Sequence, residues 1–279
     1  MPSNAPPELI IEAGQTEAQY WRDLWRYREL FYFLSWRDVL VRYKQTTIGI
    51  AWALIRPLLT MGVFTIVFGN LAKLPSEGVP YPILVFAGMM PWQFFANSLS
   101  ECSVSLVANA NIGMISKVYF PRLIIPASAV IVCFVDFLIS GLILLALLAW
   151  YNFVPDWRIL TLPVFILLAF AAAIGAGLWL AALTVQYRDF RYIVPFLVQI
   201  SLYISPVGFS SSIVKGQWRL LYSLNPLVSV IDGFRWAILR GTIAIDWFSF
   251  VLSSFLVGLL FISGVWYFRK MERTFADVI

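Results

Sequence analysis

Residues 122–150 read RLIIPASAVIVCFVDFLISGLILLALLAW, opened by one cation, Arg122, and interrupted by one internal charge, Asp136. A helix that crosses a bilayer needs about 20 mostly apolar residues, and this run exceeds that. Its apolar residues are continuous rather than alternating, which favours a helix over a barrel strand. Five more runs of this kind lie at 51–72, 82–106, 160–186, 192–209 and 246–268. Composition agrees. Of 279 residues, 61% are hydrophobic and 13% charged, and the mean hydropathy is +0.81. A soluble domain carries about a quarter charged residues. An ordinary cytosolic enzyme, a disordered protein and a disulfide-stapled scaffold are therefore excluded. The expected fold is an all-α membrane protein with six transmembrane helices.

The cations between the runs set an expected orientation. With the N-terminus in the cytoplasm, 14 of the 20 Lys and Arg residues fall inside, among them Arg42, Lys44, Lys117, Arg122, Arg188 and Arg191. Six fall outside: Lys73, Arg158, Lys215, Arg219, Arg235 and Arg240. Cytoplasmic loops carry the excess of Lys and Arg, so both termini are expected in the cytoplasm. In a membrane chain the net charge of +5 is accounted for by this bias, and no nucleic-acid partner is expected. The chain has two cysteines, Cys102 and Cys133, and no histidine, so neither a disulfide framework nor Cys/His metal spacing is present. The first twenty residues carry Glu8, Glu12 and Glu17 without an apolar core, which does not read as a signal peptide.

Two segments outside the six runs have their own logic. Residues 20–38 place Tyr20, Leu24, Tyr27, Phe31 and Leu34 on one helical face, flanked by Trp21, Trp25 and Trp36, with Arg22, Arg26 and Arg37 opposite. Such a helix suits the plane of the inner interface, as a passive anchor or as a working part. The segment between the fifth and sixth runs is too polar to cross and too apolar for a free loop. A re-entrant pair of short helices satisfies both facts, and non-helical backbone at that depth must be buried or line a cavity. A lid packed on the outer surface is the plainer alternative. The chain thus divides into an extension (1–19), an amphipathic helix with its connector (20–50) and a transmembrane domain (51–279).

The sequence shows no nucleotide site, because the pattern G-x-x-x-x-G-K-[ST] is absent. Asp136 lies mid-run, where a charge costs roughly 2.5–3.5 kcal/mol on insertion scales. With no histidine and no second acid at its depth, it reads as a hydrogen-bonded structural acid or as a proton relay. Glu101, near the inner end of its run, reads as snorkelling and without a role. Phe64 and Phe68 share a face at i, i+4, and Trp92, Phe94 and Phe95 cluster in the second run. Aromatic faces let sugar rings slide without strong binding, and they serve helix packing or lipid contact equally well. Residues 111–121, from Asn111 to Pro121, form either a short inward-projecting docking helix or an ordinary hairpin turn.

The order of these features resembles the transmembrane subunit of ABC exporters for lipid-linked polysaccharides, of the O-antigen, capsule and teichoic acid type. The matching residues are Arg42-Tyr43-Lys44-Gln45-Thr46-Thr47-Ile48-Gly49 followed by Trp52 and Pro57, and Pro91-Trp92-Gln93-Phe94-Phe95-Ala96-Asn97-Ser98 at the outer end of the second span. Arg188-Asp189 after the fourth span and Asn225-Pro226 between the fifth and sixth complete the set. The resemblance implies a bacterial inner-membrane protein that works as a pair of copies with two cytoplasmic ABC ATPases. ATP and Mg sit on those ATPases, and this chain binds no cofactor and performs no chemistry. It also implies that Ile112, Met114, Lys117 and Tyr119 carry a coupling helix, and that Leu224, Asn225 and Pro226 belong to a periplasmic gate. The polymer, best matched by undecaprenyl-pyrophosphate-linked O-antigen, would pass between the copies along Phe64, Phe68, Trp92, Phe94 and Phe95. A pyrophosphate headgroup arriving at the inner interface points to Arg42, Lys44 and Arg56 as its cationic partners. Export of capsular polysaccharide, teichoic acid, a lipid or a drug by a related permease is the nearest alternative. A membrane-embedded glycosyl- or acyltransferase is the alternative from another class; no Asp-x-Asp pair or sizeable soluble domain favours it.

Overall fold

The computed structural model describes residues 17–44, 50–108, 120–214 and 217–275, and among these residues it is helical with no strand. Helices α1 (Glu17–Arg26) and α2 (Arg28–Lys44) precede the bundle. Helix α3 (Ile50–Phe64) passes into a π-helical end, Thr65–Leu71. There follow α4 (Tyr81–Val104), α5 (Ile124–Trp150) and α6 (Leu162–Gln186), the last entered through a 3-10 turn at Trp157–Thr161. Then come α7 (Phe190–Ile204), a 3-10 turn at Ser211–Ile213, α8 (Gln217–Ser223), α9 (Pro226–Ile238) and α10 (Trp247–Glu272).

Four segments are long and apolar enough to cross a membrane: Ala51–Leu71, Ile124–Trp150, Trp157–Gln186 and Trp247–Glu272. The other two expected runs are also helical but differ in kind. Helix α4 has 24 residues and carries Gln93, Asn97 and Glu101. Helix α7 has only 15, ending at Ile204 rather than 209. Pro206 has no N–H to continue the ladder, and the carbonyls of Val207 and Phe209 beyond it turn toward a side chain described below.

Helix α4 is the axis of the molecule. It packs against α3, α5, α6, α7 and α9, and most of its side chains are buried. Lipid tails are as apolar as leucine, so helices in a bilayer associate through close packing of small residues rather than by escaping water. Helix α6 meets this need with Ala169, Ala172, Ala173, Gly175, Gly177, Ala181 and Ala182, all buried. A β-carbon on Gly175 would stand 2.7 Å from the backbone of Phe261, and one on Gly264 would meet the carbonyl of Gly175. The backbones of α6 and α10 therefore touch. The lipid side is equally clear, with Leu138, Leu142 and Leu145 of α5 exposed at i, i+4 and i+7.

The segment before the bundle differs from the single interfacial helix expected over 20–38. It is two helices, and its apolar face packs on protein. Tyr20 and Leu34 are buried, and Leu34, with Leu24, Tyr27 and Phe31 beside it, packs in a cluster that includes Leu106, Phe120, Ile124, Leu178, Phe268 and Phe275. Arg269 lies 3.3 Å over the Tyr20 ring, and the Tyr20 phenol donates to Glu272 at 3.3 Å. Burial pushes that phenol well above its ordinary pKa. The flanking Trp21, Trp25 and Trp36 are the exposed residues, so the aromatic flank, not the packed face, is what remains for lipid.

Two short helices occupy the stretch before α10, as expected. Asn225 caps α9 by accepting from the Leu227 N–H at 3.0 Å, with Pro226 in the first helical position. Helix α9 is no surface lid, for it packs into α4, α6 and α10. Arg235, counted above among the external cations, is fully buried. Its guanidinium donates to the carbonyls of Leu84 at 3.1 Å, Val207 at 2.8 Å and Phe209 at 2.7 Å. One side chain thus satisfies two carbonyls of the segment that follows α7 and ties α9 to α4. Room for it comes from Gly88, where a β-carbon would lie 2.5 Å from a guanidinium nitrogen. Gly88→Ala is expected to displace the guanidinium and lower stability by about 1–3 kcal/mol, the cost of a disturbed buried hydrogen bond. Thermal unfolding in detergent should show a lower midpoint; an unchanged midpoint would contradict this anchor.

Candidate functional site

The connector end of the bundle, where α4 leaves and α5 returns, carries an ion network. Arg42, in the last turn of α2, donates through Nη1 to Asp136 at 2.7 Å and through Nη2 to Glu101. Tyr43 donates its phenol to the other oxygen of Asp136. Two expectations are corrected here. Asp136 has a second acid beside it, and Glu101 has a partner and does not merely snorkel. The reason lies in packing: helix α2 runs along α5, which brings its last turn beside Asp136 and within reach of Glu101.

The three cations expected at the lipid entry separate in the structure. Arg42 is committed to two carboxylates. Lys44 and Arg56 are exposed, and among the described residues no ion pair includes either. The residues expected in the coupling helix, Ile112, Met114, Lys117 and Tyr119, lie outside the described residues.

The expected channel aromatics face inward. The Pro91–Phe95 stretch lies in the middle of α4, not at its outer end. Phe94 is 3% exposed, and Trp92 and Phe95 are buried. Phe94 packs against Phe134, Phe137 and Phe170 with ring centroids 6.0, 5.4 and 5.0 Å away, a geometry that suits aromatic pairs. Phe64 and Phe68, 5.3 Å apart, close over Gly208, where a β-carbon would stand 2.7 Å from the Phe68 ring. Trp92, Phe94 and Phe95 line no open surface of a single copy, and Phe64 and Phe68 are half-buried.

Open polar surface appears elsewhere. Gln93, Asn97 and Glu101 fall at i, i+4 and i+8 on α4, and Asn97 and Glu101 are exposed on a helix otherwise almost wholly buried. Helix α7 buries only Val194. Its Tyr192, Phe196, Gln199 and Tyr203 are exposed at i, i+4, i+7 and i+11, beside an apolar row of Ile193, Leu197, Ile200 and Ile204. Helix α3 exposes Trp52, Arg56, Leu59 and Val63 in the same manner, and its π-helical end exposes Asn70. The spacing was legible in the sequence; which face stays open was not.

At the opposite end, α8, α9 and the start of α10 enclose a cavity of about 30 Å³ lined by Ser211, Tyr222, Ser223, Asp232, Asp246 and Ser249 among others. That is room for a water or two. Asp246 accepts from Ser249 at 2.6 Å and pairs with Arg219 at 3.2 Å. The Ser249 hydrogen bond, ahead of the Arg219 charge, holds its carboxyl below the usual range. Of the expected gate residues, Leu224 is exposed, while Asn225 and Pro226 start α9. Asn225 also donates to Ser205 at 3.2 Å, joining this hairpin to the end of α7.

Comparison with known proteins supplies what geometry alone does not. A family model described as "ABC-2 type transporter" matches residues 29–239. The chain is 26% identical over 255 residues to an O-antigen export system permease protein RfbA of Klebsiella pneumoniae, covering 90% of this chain and 95% of that one. It is 27% identical over 217 residues to an RfbA of Myxococcus xanthus, covering 77% and 82%. The polysialic acid transport protein KpsM of Escherichia coli is 26% identical over 245 residues, covering 85% and 91%.

The burial of Phe94 yields a test of its role. Phe94→Ala should cost about 3–5 kcal/mol through the cavity it leaves and lower the unfolding midpoint and the yield of folded protein. Tyr203→Ala, at a position 72% exposed, should leave both near wild type. Equal midpoints for the two variants would contradict the packing role assigned to Phe94.

Proposed function

This chain belongs to the ABC-2 type transporter family, and on that footing we propose that it is the membrane subunit of an ATP-driven exporter of a lipid-linked cell-surface polysaccharide. O-antigen on undecaprenyl pyrophosphate is the preferred substrate, since relatives matched over most of their length are named as O-antigen export permeases. A capsular polymer is the second reading, favoured by the similarity to a polysialic acid transport protein. The working unit is two copies of this chain with two ABC ATPases. ATP and its Mg are bound on those ATPases, and this chain moves substrate without chemistry. Ile112, Met114, Lys117 and Tyr119 would face the ATPase. Leu224, Asn225 and Pro226 would stand at the outer gate.

The observation that carries the reading is Asn97, exposed one turn from the half-buried Gln93 on the otherwise buried central helix. Lipid cannot cover it, because unsatisfied polar groups in hydrocarbon cost several kcal/mol each. Arg56, six residues into α3 and on its open face, makes the same demand. Water and a second copy satisfy both, so the open faces of α3, α4 and α7 would enclose a conduit between copies. Tyr192, Phe196 and Tyr203 would then offer the sugar-contacting surface that the buried aromatics of α4 do not. At the inner interface Lys44 and Arg56 are the cations left for a pyrophosphate headgroup.

Two measurements test this reading. In a chain with Cys102 and Cys133 replaced by alanine, Asn97→Cys should react with a water-soluble maleimide in intact membranes, and Leu142→Cys on the lipid face should not. Equal reactivity would remove the conduit. In the same background, Ser76→Cys and Asp156→Cys should be labelled from outside the cell and Ser116→Cys only after permeabilisation. The opposite pattern would reverse the orientation.

A further inference from the structure

Three segments of chain meet through the Arg42 guanidinium, and their connectivity gives the meeting a consequence. Glu101 stands three residues before the end of α4. Asp136 stands twelve residues after the start of α5. The two carboxylates thus sit on the two legs of the α4–α5 connector. Arg42 and Tyr43 stand at the end of α2, which packs along α5. Residues 45–49 alone separate α2 from α3, whose open face carries Arg56.

The chemistry suits a brace better than a substrate site. Guanidinium is a planar fork of donors that stays charged and can hold two carboxylates at once. Here it does so, with side-chain exposures of 28% for Arg42, 24% for Asp136 and 48% for Glu101. One cation against two acids leaves the cluster with a formal charge of −1, which repels an anionic headgroup. Without Arg42 the two acids would face each other in a low-dielectric boundary and push α4 from α5. The Tyr43 phenol takes the remaining Asp136 oxygen, so that carboxylate is held from two adjacent residues of α2.

We propose that Arg42, Tyr43, Glu101 and Asp136 form a clasp that carries movement of the α4–α5 connector into α2 and onward to α3, and that the clasp stays closed through the transport cycle. These are positioning residues, and the proposal rests on the transporter reading above. It distinguishes Arg42 from Lys44 and Arg56, which remain available to substrate.

The test uses the full complex with its ATPase in membrane vesicles, with ATP hydrolysis and polysaccharide export both measured per assembled complex. Glu101→Gln and Asp136→Asn keep side-chain shape and remove one charge each. Both should assemble normally and hydrolyse ATP near the wild-type rate, while export per ATP falls about tenfold or more, a fold-change typical of lost coupling between sites. Arg42→Lys, a point charge able to hold one acid, should fall between them and wild type. The inverted pair Arg42→Glu with Asp136→Arg restores one cation among two acids and should recover export over either single change. Wild-type export per ATP in Glu101→Gln and Asp136→Asn would overturn the clasp. So would a loss of hydrolysis and export in step with lost assembly, which would mark the cluster as structural only. A wild-type complex that hydrolyses ATP without exporting polysaccharide would contradict the transporter reading itself, and the clasp with it.

Discussion

Hydrocarbon offers no hydrogen bonds, and the structure is organised by that lack. A polar group inside the bilayer must find its partner in protein, reach the boundary, or face water that protein has admitted. Arg235 shows the first solution at its most demanding. A fully buried guanidinium is tolerated because three backbone carbonyls receive it, one from α4 and two from the non-helical segment that follows α7. Each group resolves the deficit of the other. The same residue then fixes where α9 stands against α4, so the α8–α9 hairpin is part of the core.

The connector end uses the first solution with side chains alone. Arg42, Glu101, Asp136 and Tyr43 satisfy one another where the end of α2 meets α4 and α5. Ion pairs are weak evidence for stability, because desolvation and screening offset much of the Coulomb gain. What this cluster does is join the peripheral α2 to both α4 and α5. The third solution is Asn97, a polar side chain left exposed on an otherwise buried helix.

The helical architecture could be read from the chain because its cause is local. Continuous apolar runs of about 20 residues have few alternatives in a bilayer, and Asn225-Pro226 carries its own capping chemistry. The candidate site was legible only in part. Arg42 drew attention as a cation at a span boundary, but its partners lie 59 and 94 positions away, a separation at which one sequence holds no pairing signal. Phe94 and Phe95 drew attention as aromatics suited to sugars. A phenyl ring in a packed core and one lining a channel are identical as sequence, and only the presence of Phe134, Phe137 and Phe170 around Phe94 separates them.

The sequence by itself determined that this is a helical membrane protein, roughly where each helix lies, and that two short helices precede the last one. Those properties follow from hydrophobicity and backbone chemistry summed over neighbouring residues. Only the tertiary structure decided that Arg235 is an internal strut, that the apolar face of α1 and α2 rests on protein, and that Asp136 and Glu101 share one guanidinium. Only the tertiary structure decided which stripe of α4 stays open. These depend on which faces of distant helices meet. In a bilayer that choice rests on small residues such as Gly175 and Gly264 and on a few polar partners, because hydrophobicity, equal on every side, cannot make it.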